Sequence, residues 1–546
     1  MQLERVEISG FRGIRRLSLA FDELTTLIGE NTWGKSSLLD ALTVALPADG
    51  SLYEFEMQDF HVDYSIAHPQ TQHLQIIISF LPSYEGEEHS GRYRRLKPIW
   101  AQDEKGQKRV IYRVSATRDL YKITTNYCFL DGQGTPLSLH HSEKLAQELM
   151  SLHPAIRLRD ARRFDRTIIG NGDDVQNSRI ERRIENTCRR LLAKPGHVNK
   201  GEIKSSLSSM KSLVDHYFSF KNTSRKNPRR QRDSLLLTST STISGGLNQV
   251  IEETKDNQTR LLVLILLNSY LQAKGPNELR RCARPILIIE DPEGRLHPTH
   301  LSRAWNLLQM VPTQKILTTN SAELLSSVPL SSIKRLIRKP DKTIAKSIPP
   351  RLLSKDEIRR VGFHIRFHRS NALYARCWLL VEGETEVWLF SELAKLCGYN
   401  LASEGVQIIE FAQSGLKSLI KVAKAYEIDW HVVTDGDAAG KKYATAVKSQ
   451  LGGEMETHRL TELPDKDIEH FLYANGFDSF FKQLVKIPQD HPIPAKKIIV
   501  KALKKFAKPD LALAIVSYCE EQGPQSVPSL IRKTLKRVMT MANSNT

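Results

Sequence analysis

The stretch LTTLIGENTWGKSSLLDAL, residues 24–42, decides how the first half of the chain is read. Residues 24–28 are short and apolar, as a buried strand is. Gly29-Glu30-Asn31-Thr32-Trp33-Gly34-Lys35-Ser36 follows and fits GxxxxGK[ST]. A helix is expected over residues 36–46. Strand, glycine-bearing turn and helix form the context this pattern needs. The glycines let the backbone wrap a phosphate, and the helix start aims its N–H groups at it. Gly29, Asn31, Gly34, Ser36 and Ser37 are therefore expected to cradle ATP. Lys35 would reach the β- and γ-phosphates, and Ser36 would ligate Mg²⁺.

Magnesium at such a site needs an acidic partner. Residues 286–289 read as an apolar strand that runs into Glu290-Asp291-Pro292-Glu293. Acids at the tip of a buried parallel strand sit where ligands bind in doubly wound sheets. Glu290 is expected to hold Mg²⁺, directly or through water, and Asp291 to polarise the attacking water. Lys35 and Glu290 lie 255 positions apart, more than a compact P-loop domain needs. That gap, the opening Val6-Glu7-Ile8-Ser9-Gly10-Phe11-Arg12-Gly13 and the words IEDPEGRLHP at 289–298 together resemble the ABC class that includes SMC and DNA-repair ATPases. The resemblance implies a homodimer in which two chains share each ATP. It also implies a signature Ser-Gly that caps the partner's nucleotide, with Ser244 and Gly245 as candidates. Their context is only partly LSGG-like, so a flexible Ser/Thr/Gly turn competes with that reading. Two departures from the class stand out: the acids come as Glu290 then Asp291, not Asp then Glu, and Asn320 stands where a switch His is common. Asn can hydrogen-bond a γ-phosphate but cannot shuttle a proton. Both departures predict slow hydrolysis, with ATP acting more as a clamp than as fuel.

A second site is expected further on. Residues 377–381 form an apolar strand that enters Glu382-Gly383-Glu384-Thr385-Glu386, and a helix follows. Residues 431–434 form another strand, ending in Asp435-Gly436-Asp437, and Asp467-Ile468-Glu469-His470 opens a helix. Hard Mg²⁺ or Mn²⁺ takes oxygen ligands, and carboxylates at strand tips can hold one or two such ions. Asp435 and Asp437 would point the same way if strand geometry persisted, with Gly436 letting phosphate approach.

The words VEGETE, TDGDAAG and IEHFL resemble the Toprim domain of the OLD (overcoming lysogenization defect) nucleases, which join it to an ABC ATPase in the same order. Position by position, that resemblance implies metal ligation by Glu382, Glu386, Asp435, Asp437 and Glu469, with Glu382 also a candidate acid/base. It implies a charge-stabilising lysine near the C-terminus. Lys508 is the match and Lys505 the fallback. Toprim also serves topoisomerases and primases, but no separate breakage domain with a nucleophilic tyrosine is visible.

The remaining signals bound this reading. With 546 residues, two to four domains are expected. The expected fold is α/β. An ABC/SMC-like ATPase is divided between residues 1–150 and 236–340 around a basic helical insertion at 151–235, a possible dimerisation arm. A linker at 341–370, a Toprim domain at 371–475 and a helical region at 476–546 follow. The formal net charge of +18 favours polyanions. Basic runs at 157–166, 225–232 and 335–342 are candidates for backbone phosphate, with little aromatic interleaving for base stacking. Six scattered cysteines suit a reducing compartment, not a disulfide framework. No apolar signal core or membrane-length run is seen, so a cytoplasmic protein is expected. His297, His364, His368 and His431 form no zinc-binding set, which leaves backbone or surface roles. The expected function is an ATP-binding, metal-dependent endonuclease acting on nucleic acid, with DNA the expected substrate. The competing expectation is an ATP-gated regulatory protein whose Toprim site binds without cutting. A separate regulatory partner fits either.

Overall fold

The computed structural model describes residues 1–63, 72–102, 106–119, 122–158, 257–275, 279–280, 282–294, 298–365 and 369–544, with isolated helical residues between 184 and 214. The chain divides into two units, Met1–Lys346 and Ser347–Thr546.

The first unit is built on one sheet of twelve strands among the described residues. Its antiparallel part comprises β1 (Gln2–Phe11), β2 (Ile14–Ala20), β4 (His73–Leu81), β5 (Trp100–Gln102), β6 (Lys108–Arg118) and β7 (Ile123–Leu130). β1 and β4 alternate buried and exposed positions, as strands covered on one face do. The parallel part runs β11 (Ile333–Arg338), β3 (Leu24–Ile28), β10 (Lys315–Thr318), β9 (Ile286–Glu290) and β8 (Ala155–Leu158). β12 (Thr343–Lys346) joins β11 to β2. β8 and β10 are buried at every position and β9 at all but Glu290, the pattern of strands covered on both faces. The helices α1 (Lys35–Ala45), α2 (Ser142–Leu152), α3 (Asn257–Lys274) and α4 (Pro298–Gln309) belong to this unit. Because β10 separates β3 from β9, the turns after all three open along one edge of the sheet.

The second unit has a four-stranded, all-parallel sheet in the order β14 (Val406–Glu410), β13 (Cys377–Val381), β15 (Asp429–Thr434), β16 (Leu460–Glu462). Its helices are α5 (Lys355–Phe363), α6 (Glu384–Leu396), α7 (Leu416–Ala425), α8 (Ala438–Lys448), α9 (Ile468–Leu472), α10 (Ala495–Lys505), α11 (Lys508–Gln522) and α12 (Ser529–Ser544). The chain leaves β13 for β14 on one side and returns to β15 on the other. That reversal is a topological switch point, and it opens a crevice at the C-terminal ends of β13 and β15.

Three stretches depart from the sequence expectations. Residues 155–158, expected in a basic insertion, are an edge strand of the twelve-stranded sheet. Their alternative as a solvated arm is ruled out by Ala155, Ile156 and Leu158, which are buried beside β9. Residues 343–346 and 355–363, expected as linker, are a sheet strand and a helix closed by a capping box between Ser354 and Glu357. Of the basic runs, Arg157 and Arg335 are buried and do not present their charge to a polyanion, while Arg338 and Lys342 are exposed. The rest of 157–166 beyond Leu158, and all of 225–232, lie outside the described residues.

Candidate functional site

The phosphate cradle forms where β3 gives way to α1. Gly34 caps the helix in the left-handed region, at φ 90°, and a Cβ there would stand 3.1 Å from the Ile14 side chain. Only glycine makes that turn without strain. Lys35 begins α1 and is buried, its ammonium donating to the Gly29 carbonyl (2.7 Å) and to Asn320 Oδ1 (2.8 Å). Burial lowers its pKa, against the pull of Asp291 and Glu293. Asn31 and Ser36 are exposed. Ser37 is engaged within the protein, its Oγ accepting from the Gly13 amide (3.3 Å).

Glu290 ends β9 as expected, but Arg157 holds both its oxygens. The Arg157 Nε and Nη2 donate to the two Glu290 oxygens at 2.8 and 2.7 Å, and Nη1 donates to Asp40 on α1. Asp40 also accepts from Arg12, whose Nε donates to Asp59 (2.9 Å). The Arg157 fork thus occupies one acceptor site on each Glu290 oxygen and competes with Mg²⁺ for its charge. Asp291 follows at φ 40°, unusual for a non-glycine residue, and its Oδ1 accepts from the Thr318 hydroxyl (3.0 Å). Glu293, given no role from sequence, accepts from the Asn320 amide (2.5 Å) and the Thr319 hydroxyl (2.9 Å). It sets the loop from which Asn320 meets Lys35. Ser244 and Gly245 lie outside the described residues.

The second site opens in the β13/β15 crevice. Glu382 follows β13 and Asp435 follows β15, in adjacent register. Burial pushes the Asp435 carboxyl up to about 8, helped by Glu386, Glu382, Asp467 and Glu469. Burial also raises Glu382, with Asp437 and Glu386 adding to the effect. The Glu382 Oε2 is buried and has no hydrogen-bond partner among the described residues. Glu469 is buried on α9, and the Lys508 ammonium stands 3.8 Å from it. Of the two candidate lysines, Lys508 is the one paired with a crevice carboxylate. Lys505 instead donates to the Leu484 carbonyl (2.9 Å).

Other expected ligands double as helix caps. β15 stops at Thr434, so strand alternation does not carry Asp437 beside Asp435. Asp437 is the N-cap of α8, its Oδ1 accepting from the Gly440 amide (2.7 Å). Glu386 accepts from the Gly383 amide (3.0 Å), and Asp467, given no role from sequence, caps α9. At Gly436 a Cβ would meet the Asp465 carbonyl at 2.4 Å. The glycine of the turn serves close packing of protein on protein. Among the described residues, no three Asp, Glu, His or Cys side chains already form a metal-holding group. The donor chemistry nevertheless fits a hard divalent cation: mutually repelling carboxylates and one buried oxygen without a partner. The cradle likewise fits a nucleotide phosphate, because a buried ammonium rests there on two neutral oxygens. His431, 0% exposed, has a backbone role: Nδ1–H donates to the His458 carbonyl (2.7 Å) and Nε2 accepts from the Thr461 hydroxyl (2.8 Å). His297 and His368 lie outside the described residues. No helix among those described is long and apolar enough to cross a membrane.

Comparison with known proteins adds the family. The model described as "Protein of unknown function (DUF2813)" matches residues 1–372. The one described as "Overcoming lysogenization defect protein-like, TOPRIM domain" matches residues 373–437. Uncharacterized protein YbjD of Escherichia coli (strain K12) is 43% identical over 548 residues, 99% of each chain. Old nuclease of Escherichia phage P2 is 24% identical over 235 residues, 40% of each chain. Among solved structures, the C-terminal region of the Burkholderia pseudomallei OLD protein is 16% identical, with 31% of this chain covering 99% of it at a TM-score of 0.26. The SMC head domain from Thermotoga maritima is 12% identical, with 64% of this chain covering 100% of it at a TM-score of 0.30. With one family model spanning residues 1–372 and a relative aligned over nearly its whole length, the chain belongs to the DUF2813 family, and its residues 373–437 match the Toprim model of the OLD kind.

Proposed function

We propose that this protein is an ATP-regulated, metal-dependent endonuclease that cuts phosphodiester bonds of DNA in its Toprim crevice. The observation that carries this reading is the meeting of Glu382 and Asp435 at the β13/β15 switch point, with Glu469 and Lys508 facing one another beside it. Glu382 and Asp435 hold Mg²⁺ or Mn²⁺, and Glu386, Asp437 and Glu469 supply the surrounding negative charge. The bound metal supplies an activated water and stabilises charge on the attacking and leaving oxygens. The Lys508 ammonium offers positive charge to the scissile phosphate. The similarity to Old nuclease of phage P2 supports this class of activity.

In the P-loop unit, Lys35 passes from its neutral oxygens to the β- and γ-phosphates of ATP, with Ser36 beside the magnesium. The Arg157 fork on Glu290 and the Asn320 contact favour slow hydrolysis, so ATP holds a conformation more than it drives turnover. A homodimer sharing ATP, capped by Ser244 and Gly245, and a cytoplasmic location complete the reading.

The test is plasmid cleavage with Mg²⁺ or Mn²⁺, with and without ATP, for wild type and Asp435→Ala. The wild type is expected to cut, and the variant to lose at least about 10³-fold, the scale of several kcal/mol of charge stabilisation. Wild type that cuts in no lane would favour an ATP-gated protein that binds nucleic acid without cleaving it.

A further inference from the structure

Between Asp490 and Asp510 the chain carries Lys496, Lys497, Lys501, Lys504, Lys505 and Lys508 and no acid. The first five lie on α10. That helix buries Ile498, Ile499 and Ala502 and leaves all five lysines exposed. Lys497, Lys501 and Lys504 follow i, i+4, i+7 spacing, which places them in one stripe opposite the buried side. The stripe is about 10 Å long at the α-helical rise.

Like charges at i, i+4 weaken a helix, and solvated faces usually intersperse both signs. Other lysines of this unit follow that rule. Lys395 pairs with Glu392 (2.7 Å), Lys421 with Glu357 (3.2 Å), and Lys448 with Glu456 and Glu462 (3.1 and 3.0 Å). Among the described residues, none of the α10 lysines pairs with an acid. The helix packs against α9, which carries Glu469, and after two residues the chain reaches Lys508, 3.8 Å from that carboxylate. The helix that carries the unbalanced stripe therefore lies beside the carboxylate crevice, and the chain runs from its C-terminal end to Lys508.

We infer that Lys497, Lys501 and Lys504 form a track for the phosphate backbone of duplex DNA leading into the Toprim crevice. The inference rests on the nuclease reading above and extends it to a binding surface. Lysine is a point charge suited to phosphate and carries no base code. The helix exposes no aromatic ring on which splayed single-stranded bases would stack. Both features favour a duplex held by its backbone.

The test uses the full chain and a fluorescently labelled DNA duplex, with anisotropy measured in EDTA across roughly 50–200 mM salt. Lys501→Gln/Lys504→Gln is compared with Lys533→Gln/Lys536→Gln, an equal charge change on exposed positions of α12. The α10 pair is expected to lower the salt slope by about 1.8, or about 0.9 per lost phosphate contact, while the α12 pair leaves it unchanged. In cleavage assays the α10 pair is expected to raise KM and keep kcat. An unchanged slope, an equal loss in the α12 pair, or a shift seen with single-stranded RNA and not with the duplex would each overturn the track. A slope shift in a protein whose wild type cuts nothing would count for the track and against the nuclease reading.

Discussion

The two acidic sites balance their charge in opposite ways. In the P-loop unit, acids and cations alternate: Glu290 takes both its bonds from Arg157, Arg157 reaches Asp40, Asp40 accepts from Arg12, and Arg12 reaches Asp59. In the Toprim unit, Asp435 faces Glu386, Glu382, Asp467 and Glu469, and among the described residues the basic groups paired with these acids are Lys508, 60% exposed and beside Glu469, and the His470 ring beside Asp467. Both sites begin as acids at the tip of an apolar parallel strand. The difference lies in the cations brought beside them from elsewhere in the chain. The first site is set before any ligand arrives, and the second carries a surplus of negative charge that a divalent ion would relieve.

The largest effect should come from making the first site resemble the second. Arg157→Ala leaves Glu290 and Asp40 without their shared cation and is expected to cost about 3–5 kcal/mol of stability, the scale of breaking a buried pair. Arg157→Lys should recover little, because a point charge cannot make the fork. The contrasting arm is Asp435→Asn without metal at about pH 9, above the raised Asp435 pKa of about 8, where it removes one repelling charge and should raise the urea midpoint. Urea unfolding of the three variants measures both signs. A loss below about 1 kcal/mol in Arg157→Ala would place that pair with exposed salt bridges and end the contrast.

The same contrast explains what could be read from sequence. GxxxxGK[ST] and the strand-then-acid pattern at Glu382 and Asp435 are local, and local geometry carries them. Arg157 looked like the start of a basic run because its meaning depends on β8 lying beside β9, and Arg157 and Glu290 stand 133 positions apart. Glu386 and Asp437 read as ligands, yet each also accepts a nearby backbone N–H, a competition that residue type alone does not resolve. Ser354 three residues before Glu357 was a capping-box signal within the stretch taken for linker. The α10 stripe was legible as composition, but its lack of acidic partners appears only in three dimensions.

A pH experiment sharpens the contrast within the Toprim unit. Away from the crevice lies His431, a buried ring with both nitrogens hydrogen-bonded. Burial lowers its pKa from 6.5 to about 4. Between these values the unfolded chain binds the proton and the folded chain does not, so stability is full above about pH 6.5 and falls as the pH drops toward 4. The loss amounts to about 3 kcal/mol for a shift of this size. Protonating the crowded carboxylates acts in the opposite sense, so total stability mixes the two. His431→Asn isolates the histidine: its stability difference from wild type should shrink by about 3 kcal/mol between about pH 7 and about pH 4. A constant difference would mean that His431 keeps an ordinary pKa and that its bonds to His458 and Thr461 do not hold it neutral.

The smallest effect concerns how firmly the first site is set. Glu293 accepts from Asn320 and Thr319, and Asn320 in turn accepts from Lys35. Glu293 has no bond to Lys35 itself, so it positions the loop and leaves the phosphate-facing charge in place. Glu293→Ala removes two hydrogen bonds from a partly buried loop, with an expected effect of about 1–2 kcal/mol, or roughly tenfold. That loss should appear in the ATP hydrolysis rate, because Asn320 no longer meets Lys35 in a fixed geometry. ATP affinity should change by less than about threefold, since the cradle and its lysine remain. Glu293→Gln keeps one acceptor and should fall between the two. Equal losses in affinity and rate would show that the loop holds nucleotide directly, and the P-loop unit would then share with the Toprim crevice a dependence on its ligand for order.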